Sequence, residues 1–147
     1  MRIAILGAHG KIWFRLGKIL TKTGDDAVGF IRNPEQSCEL NEAGIRPIIA
    51  DLISTSIEKY AGMLKGFDAV VFCSGAGGSG TEMTDAIDGQ GVVKIVAAAK
   101  LANIQRFILV SAFTDAFRDE KMLADFEHYM KVKRQADVDL VGSSLSR

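Results

Sequence analysis

Two glycines near the N-terminus have the spacing of a loop that could bind phosphate. Gly7 follows the apolar run at residues 3–6, and Gly10 stands just before a stretch with helical periodicity. Glycine at the first position can adopt backbone angles closed to other residues, and glycine at the second lets a ligand approach the backbone. The free N–H groups and the positive end of the following helix would face that ligand, which suits a pyrophosphate.

The residue that follows this loop is unusual for a dinucleotide site. Trp13 stands where such loops often carry a third glycine, whose role is close packing of the helix against a strand. Phosphate binding does not require that glycine, but the helix must then stand differently, or the indole must point towards the ligand mouth or another chain. An ordinary strand-to-helix turn is the alternative. His9 could lie along the phosphates or simply be exposed, and we assign Lys11 and Ile12 to the same cofactor loop.

Polar side chains also follow the next two strand-like runs. Arg32 comes just after residues 27–31, where NAD-binding proteins carry an acid for the ribose 2′-hydroxyl. An arginine there could clamp a 2′-phosphate, which favours NADP; the alternative is a solvated arginine at a strand end. Asp51 could accept a hydrogen bond from an adenine amino group, with Leu52 beside it. It could equally cap the next helix, for which Ser54 competes.

Small residues follow the fourth strand-like run, in the segment VVFCSGAGG at residues 70–78. They leave room for a ribose and a nicotinamide, and we expect Ser74 and Gly75 to line that space. The four signals occur in one order and at the same ends of successive strands. Together they predict a dinucleotide-binding site.

Strand-like and helix-like segments alternate along the whole chain. The strand-like runs are short and several are apolar throughout, which is typical of parallel strands buried on both faces. The alternation predicts an α/β fold: a single Rossmann-like domain over residues 1–147, with a doubly wound parallel sheet of about five strands and helices on both faces. The predicted strands cover residues 3–6, 27–31, 47–50, 69–73 and 107–110, and helices are predicted from near Gly10 and over residues 35–43, 56–64, 85–102 and 120–141.

The composition argues against several classes of function. The 147 residues are 48% hydrophobic and carry 18 basic and 18 acidic side chains, so no broad positive surface exists for nucleic acid or an anionic membrane. No apolar run approaches the roughly 18 residues that span a bilayer. Two cysteines, Cys38 and Cys73, make no disulfide framework, and no metal-ligand cluster is visible. We therefore expect a reduced, cytoplasmic protein that acts on a small molecule and holds no metal.

Six segments resemble the atypical short-chain dehydrogenases/reductases, the small relatives of NmrA-like and flavin/biliverdin-reductase-like proteins. They cover essentially the whole chain: ILGAHGKI, GFIRNPEQ, IIADL, FDAVVFCSGAG, DGQGVVKIVAAAKLANIQRFILVSA and HYMKVKRQADVDL. The resemblance implies a bound NADP or NAD and hydride transfer to a small carbonyl, quinone or flavin-like acceptor.

The resemblance also implies a catalytic set. The wider superfamily uses a strand-end Ser, a Tyr and a Lys four residues later, and the matching positions are Ser111, Tyr129 and Lys133. Residues four apart share a helix face, and an ammonium beside a phenol lowers the phenol's pKa, so Tyr129 could act as general acid or base. Lys133 could also hold the nicotinamide ribose, and Ser111 could orient a substrate carbonyl. An ordinary amphipathic helix is the alternative.

Members of this superfamily continue after the last helix into a further strand and elements that close the substrate pocket. This chain ends with VGSSLSR at residues 141–147, so we expect those elements to be missing. The strand at 107–110 would then be an exposed apolar edge through which a homo-oligomer could form. Two other functions stay open: a redox sensor that binds the cofactor without catalysis, and an NAD-dependent sugar-nucleotide epimerase.

Overall fold

The computed structural model describes residues 1–7, 10–113 and 123–146, and its strands form one parallel sheet. The spatial order is β3-β2-β1-β4-β5, so β1 lies at the centre and the order reverses between β1 and β4. The predicted doubly wound α/β fold is confirmed. The strands are β1 (Arg2–Leu6), β2 (Asp26–Ile31), β3 (Arg46–Ile49), β4 (Ala69–Phe72) and β5 (Arg106–Leu109).

Helices connect successive strands. The helix predicted at 85–102 begins earlier, as α4, and contains a π-helical turn; the helix predicted at 120–141 is described from Ala124 onwards. None of the described helices has the length and apolar character needed to cross a bilayer. The helices are α1 (Lys11–Lys22), a short 3-10 helix (Pro34–Gln36), α2 (Ser37–Glu42), α3 (Ile57–Leu64), α4 (Thr81–Thr84), the π-helical turn (Asp85–Gln90), α5 (Gly91–Leu101) and α6 (Ala124–Val141).

The core has two halves, one on each face of the sheet. Successive residues of a strand point to opposite faces, so Ala4 and Leu6 belong to one half, and Ile3 and Ile5 to the other. This two-sided burial explains why β1 is apolar throughout. The first half is filled from α3, α5 and α6 by residues that include Tyr60, Leu64, Val92, Ile95, Ala136 and Leu140, and the second from α1 and α2 by residues that include Trp13 and Leu40.

Trp13 does not point towards a ligand or another chain. It is only 1% exposed and packs in the second half of the core, so of the two predicted alternatives the outward-pointing indole is wrong. The close approach of α1 occurs one turn later, at Gly17, where a β-carbon would lie 2.3 Å from Cδ1 of Ile45. The absence of a side chain at Gly17 therefore lets the side chain of Ile45, just before β3, pack against α1.

The outer edge of β5 is partly covered. Ser146 forms a short parallel bridge with Arg106: the Phe107 N–H donates to the Ser146 carbonyl at 2.9 Å, and the Ser146 N–H donates to Gln105 at 2.7 Å. Ile108 on the same strand is 45% exposed. The predicted exposed edge is thus covered at its first residues, and a homo-oligomer through the remainder stays a prediction.

Candidate cofactor-binding site

A cavity of about 430 Å³ opens at the carboxyl ends of β1, β2, β3 and β4. Crevices at this place, where the strand order reverses, are the usual ligand sites of doubly wound sheets. Lys11 and Ile12 lie in the first turn of α1 and do not line the cavity, and His9 falls outside the described residues. The predicted cofactor residues that line the cavity are Gly7, Gly10, Arg32, Asp51, Leu52, Ser74 and Gly75.

The two loop glycines are required for different reasons. Gly7 has a φ of +82°, and a β-carbon there would lie 2.6 Å from the backbone nitrogen of Ser74, so no other residue fits without a shift. A β-carbon on Gly10 would meet nothing closer than Cδ1 of Trp13 at 3.5 Å, an ordinary contact. Of these two glycines, packing among the described residues therefore requires glycine at Gly7 and not at Gly10, where the backbone is open to a ligand.

No described side chain caps the N-terminus of α1, so this terminus could receive an anion. Gly10 is its N-cap and offers no side chain to the first N–H groups, and no acidic residue lies in the first turn. The N–H groups at the start of a helix need acceptors, and the helix dipole favours a negative one. The arrangement fits a pyrophosphate, as the sequence predicts.

One oxygen of the Asp51 carboxylate organises the loop after β3. Oδ1 accepts hydrogen bonds from the Ile53 N–H at 3.0 Å, the Ser54 N–H at 2.7 Å and the Ser54 hydroxyl at 2.9 Å. The bond from the Ser54 N–H, with smaller help from the charge of Arg32, holds the pKa of Asp51 below its usual value. Among the described residues Oδ2 accepts no hydrogen bond, so it remains available to an adenine amino group.

Neither Asp51 nor Ser54 caps α3. The N-cap is Ser56, whose hydroxyl accepts a hydrogen bond from the Lys59 N–H at 3.2 Å. The alternative reading of Asp51 as the helix cap is therefore wrong, and so is Ser54 as its competitor.

Arg32 is exposed at the end of β2 and lines the cavity beside Asn33 and Gln36. Within the described part of the chain its guanidinium makes no hydrogen bond or ion pair. Asp51 is the acidic residue among those that line the cavity, and its Oδ1 is already occupied. This end of the cavity therefore offers a cation, and no carboxylate directly follows β2.

Beneath the opposite end of the cavity lies a buried acid that the sequence analysis missed. Asp88, in the π-helical turn, is 1% exposed, and its Oδ2 accepts a hydrogen bond from the Ala76 N–H at 2.9 Å. It thereby fixes the loop that contains Ser74 and Gly75. Helical spacing places Asp88 on the same face as the buried residues Val92 and Ile95. An acidic residue on an otherwise apolar helix face is the sequence feature from which its burial could have been predicted.

Two of the three predicted catalytic residues have other partners. The Lys133 ammonium donates to the Val110 carbonyl at 2.9 Å and lies 3.7 Å from Oδ1 of Asp88, with 3% of its side chain exposed. The Ser111 hydroxyl donates to Oδ2 of Asp137 at 2.8 Å. None of Ser111, Tyr129 and Lys133 lines the cavity, and the structure does not bring them into one hydrogen-bonded set.

The surroundings of Tyr129 raise its pKa. The phenol is half-buried and stacks on Phe126 with ring centres 6.1 Å apart. Burial is the larger cause of the raised pKa, and the negative charge of Asp88 adds to it. The expectation that Lys133 lowers this pKa is wrong, because the ammonium faces Asp88 and Val110.

The cavity is also lined by a thiol, that of Cys73. Burial raises the pKa of this thiol to about 11, and the positive charge of Lys133 opposes the shift with a smaller effect. Across the described ranges, no group of three His, Cys, Asp or Glu side chains is placed to hold a metal ion.

The glycine loop, the free helix terminus and the polar residues at the strand ends together define a dinucleotide-binding Rossmann protein. A family model described as NAD(P)H-binding matches residues 7–146. The chain belongs to this NAD(P)H-binding family, in agreement with its resemblance to the atypical short-chain dehydrogenases/reductases, and its cofactor is NAD(P).

Several known proteins are similar to the chain. The "uncharacterized sugar epimerase YhfK" of Bacillus subtilis (strain 168) is 35% identical over 99% of this chain and 68% of its own length. A Bacillus halodurans structure provisionally named an NAD-dependent epimerase/dehydratase has a TM-score of 0.88 and 35% identity, covering 99% of this chain and 66% of that one. The oxidoreductase ylbE of Lactococcus lactis has a TM-score of 0.80 and 29% identity, covering 95% and 63%. The chain thus spans about two thirds of the length of these relatives.

Proposed function

We propose that this chain prefers NADP(H) to NAD(H) and serves hydride transfer between the nicotinamide and a small carbonyl, quinone or flavin-like acceptor. The observation that carries the proposal is Arg32, an unpaired cation among the described residues that lines the cavity where an NAD-binding site would carry a carboxylate. A guanidinium presents a planar set of donors that matches a phosphate. The cytoplasmic location stays a prediction from composition.

Each end of the cavity has a role in this proposal. The backbone at Gly7 and Gly10, with the α1 N-terminus, would hold the pyrophosphate, and Arg32 the 2′-phosphate. Asp51 would accept from the adenine amino group through Oδ2. The ribose next to the nicotinamide would lie against Ser74 and Gly75, and Leu52 would lie beside the adenine.

Tyr129 would supply the proton in this reaction. A bound reduced nicotinamide would supply the hydride, and the acceptor oxygen would then take its proton from the protein. The phenol of Tyr129 is protonated at neutral pH, as a general acid must be, and its raised pKa makes it a weaker acid than a free tyrosine. Ser111 would orient the acceptor, and Lys133 would support the site from below through Val110 and Asp88.

Titration of the purified protein with NADPH and NADH, followed by nicotinamide fluorescence, tests the preference. We expect NADPH to bind more tightly, and Arg32→Ala to weaken NADPH binding by about tenfold or more while NADH binding stays unchanged. Arg15→Ala is the matched control, since Arg15 is exposed on α1 and does not line the cavity. Equal affinity of the wild type for both cofactors would refute the preference.

A sugar-nucleotide epimerase is the second candidate, favoured by the names of the Bacillus relatives at 35% identity. An epimerase returns the hydride to its own substrate and has no need to exchange the cofactor. Cofactor extracted from the purified protein separates the two functions. Retained NAD⁺ favours the epimerase, whereas freely exchanging NADPH that reduces an added quinone favours the reductase.

A further inference from the structure

Lys94 of α5 holds the loop that follows β3. Its ammonium donates hydrogen bonds to three backbone carbonyls, those of Leu52 at 2.9 Å, Ile53 at 2.8 Å and Thr55 at 3.0 Å. A lysine ammonium has three N–H donors, so all of them are used on one loop. Hydrogen bonds from a charged donor are stronger than neutral ones. The position of this loop is thus set by α5 as well as by β3.

A second contact from the same helix acts on the same loop. Gly91 lies three residues before Lys94, so the two share a face of α5. A β-carbon on Gly91 would lie 2.7 Å from Cδ2 of Leu52. The absence of a side chain at Gly91 lets Leu52 come close to the helix, and Lys94 then secures the carbonyl of Leu52.

The loop is also fixed from its other side, by Asp51. The N–H groups of Ile53 and Ser54 donate to Oδ1 of Asp51, while the carbonyls of Leu52 and Ile53 accept from Lys94. The N–H groups of this loop therefore donate to a carboxylate, and its carbonyl groups accept from an ammonium. Displacing the loop would also displace Asp51 and Leu52, both of which line the cavity.

We propose that Lys94 is a positioning residue for the adenine end of the cofactor site. Lys94 does not line the cavity and would not touch the cofactor. It acts through the loop, by keeping Oδ2 of Asp51 and the side chain of Leu52 where the adenine needs them. The inference rests on the proposed placement of the adenine beside Asp51.

Two half-cofactor probes test this role by calorimetry: adenosine 2′,5′-bisphosphate for the adenine end and reduced nicotinamide mononucleotide for the other. Lys94→Met should weaken binding of adenosine 2′,5′-bisphosphate by about tenfold, which corresponds to the loss of about one charge-assisted hydrogen bond. Binding of reduced nicotinamide mononucleotide should stay unchanged. Lys94→Arg, which keeps the charge and several donors, should recover part of the affinity. Lys100→Met on the same helix is the control, because Lys100 is exposed.

A double-mutant cycle with Asp51→Ala distinguishes positioning from a general loss of structure. If Lys94 acts through Asp51, then Lys94→Met should add little to the loss already caused by Asp51→Ala. Additive effects, or equal weakening of both probes, would overturn the positioning role. If the wild type binds nicotinamide mononucleotide and NADPH but Asp51→Ala leaves adenosine bisphosphate binding unchanged, the proposed adenine placement fails, and the inference fails with it.

Discussion

The ammonium nitrogen of Lys133 lies 3.7 Å from Oδ1 of Asp88, and both side chains are almost completely buried. The pair connects α6 with the π-helical turn. Lys133 also holds the Val110 carbonyl after β5, and Asp88 holds the Ala76 N–H after β4. A residue that resemblance assigns to the nicotinamide ribose thus supports the floor of the site, where two strand ends and two helical segments meet.

Removing one member of this pair should destabilise the fold. A buried ion pair adds little net stability over apolar packing, but the loss of one partner leaves an uncompensated charge. We expect Lys133→Met to lower the free energy of unfolding by about 3 kcal/mol in urea denaturation. Adding Asp88→Asn should recover part of the loss. The control is Lys131→Met, which breaks only an exposed pair with Glu127 and should cost about 0.5 kcal/mol or less; similar losses in the two lysine variants would contradict the prediction.

The two loop glycines should respond differently to a methyl group. Gly7→Ala forces a residue with a side chain into a φ of +82° and against the backbone of Ser74. We expect it to lower the free energy of unfolding by about 2 kcal/mol. Gly10→Ala should change that free energy by less than about 1 kcal/mol. It should instead weaken NADPH binding about tenfold, or about 1.4 kcal/mol, because its methyl group occupies the ligand's approach to the backbone. Thermal unfolding and cofactor titration of both variants separate the two effects, and equal destabilisation would contradict the assignment.

The two cysteines should react with iodoacetamide at different rates. Cys38 is exposed, whereas Cys73 lines the cavity and has its pKa raised to about 11 by burial. Only about one Cys73 thiol in a thousand is then ionised at pH 8, and the thiolate is the reactive form. Mass spectrometry at pH 8 should show Cys38 modified first and NADPH slowing Cys73 further. Faster labelling of Cys73 than of Cys38 would contradict this.

The raised pKa of Cys73 also predicts a direction for stability at high pH. The folded protein keeps this proton up to a pH of about 11, whereas the thiol's ordinary pKa is 9.0. The unfolded chain therefore binds fewer protons between these values, and stability from this group falls as the pH rises through them. Cys73→Ala should reduce this decline relative to the wild type in urea denaturation at pH 8 and pH 10. An unchanged decline would rule out Cys73 as its source.

Tyr129 should act as an acid over a wide pH range. The ordinary pKa of a tyrosine is 10.0 and that of Tyr129 is raised above it, so the phenol stays protonated from pH 7 to 9 and its titration should not lower the rate of quinone or carbonyl reduction there. Tyr129→Phe should lower the single-turnover rate of NADPH oxidation about 100-fold, the lower end of general acid catalysis. Unchanged turnover in Tyr129→Phe would rule out Tyr129 as the acid, whereas cofactor binding without turnover in the wild type would support the non-catalytic redox sensor.

The fold and most of the cofactor cavity could be predicted from the sequence because their signals are local. Short apolar runs identify buried parallel strands, and the carboxyl ends of such strands lie at one edge of the sheet. Gly7, Arg32 and Asp51 each stand within two residues of a strand's carboxyl end, so their meeting in one cavity follows from the topology alone.

The tertiary structure decided the features that depend on contacts between distant segments. Periodicity places Trp13 and Lys133 on helices, but it does not say which neighbours they meet. Packing buried Trp13, brought the Ile45 side chain against Gly17 of α1 and turned Lys133 towards Asp88. The direction of the Tyr129 pKa shift depends on the burial of the phenol and on the nearby charge of Asp88. The hydrogen bonds from Lys94 to the loop after β3 depend on how α5 packs. Side-chain environments of this kind are set by long-range packing, which a local sequence pattern does not encode.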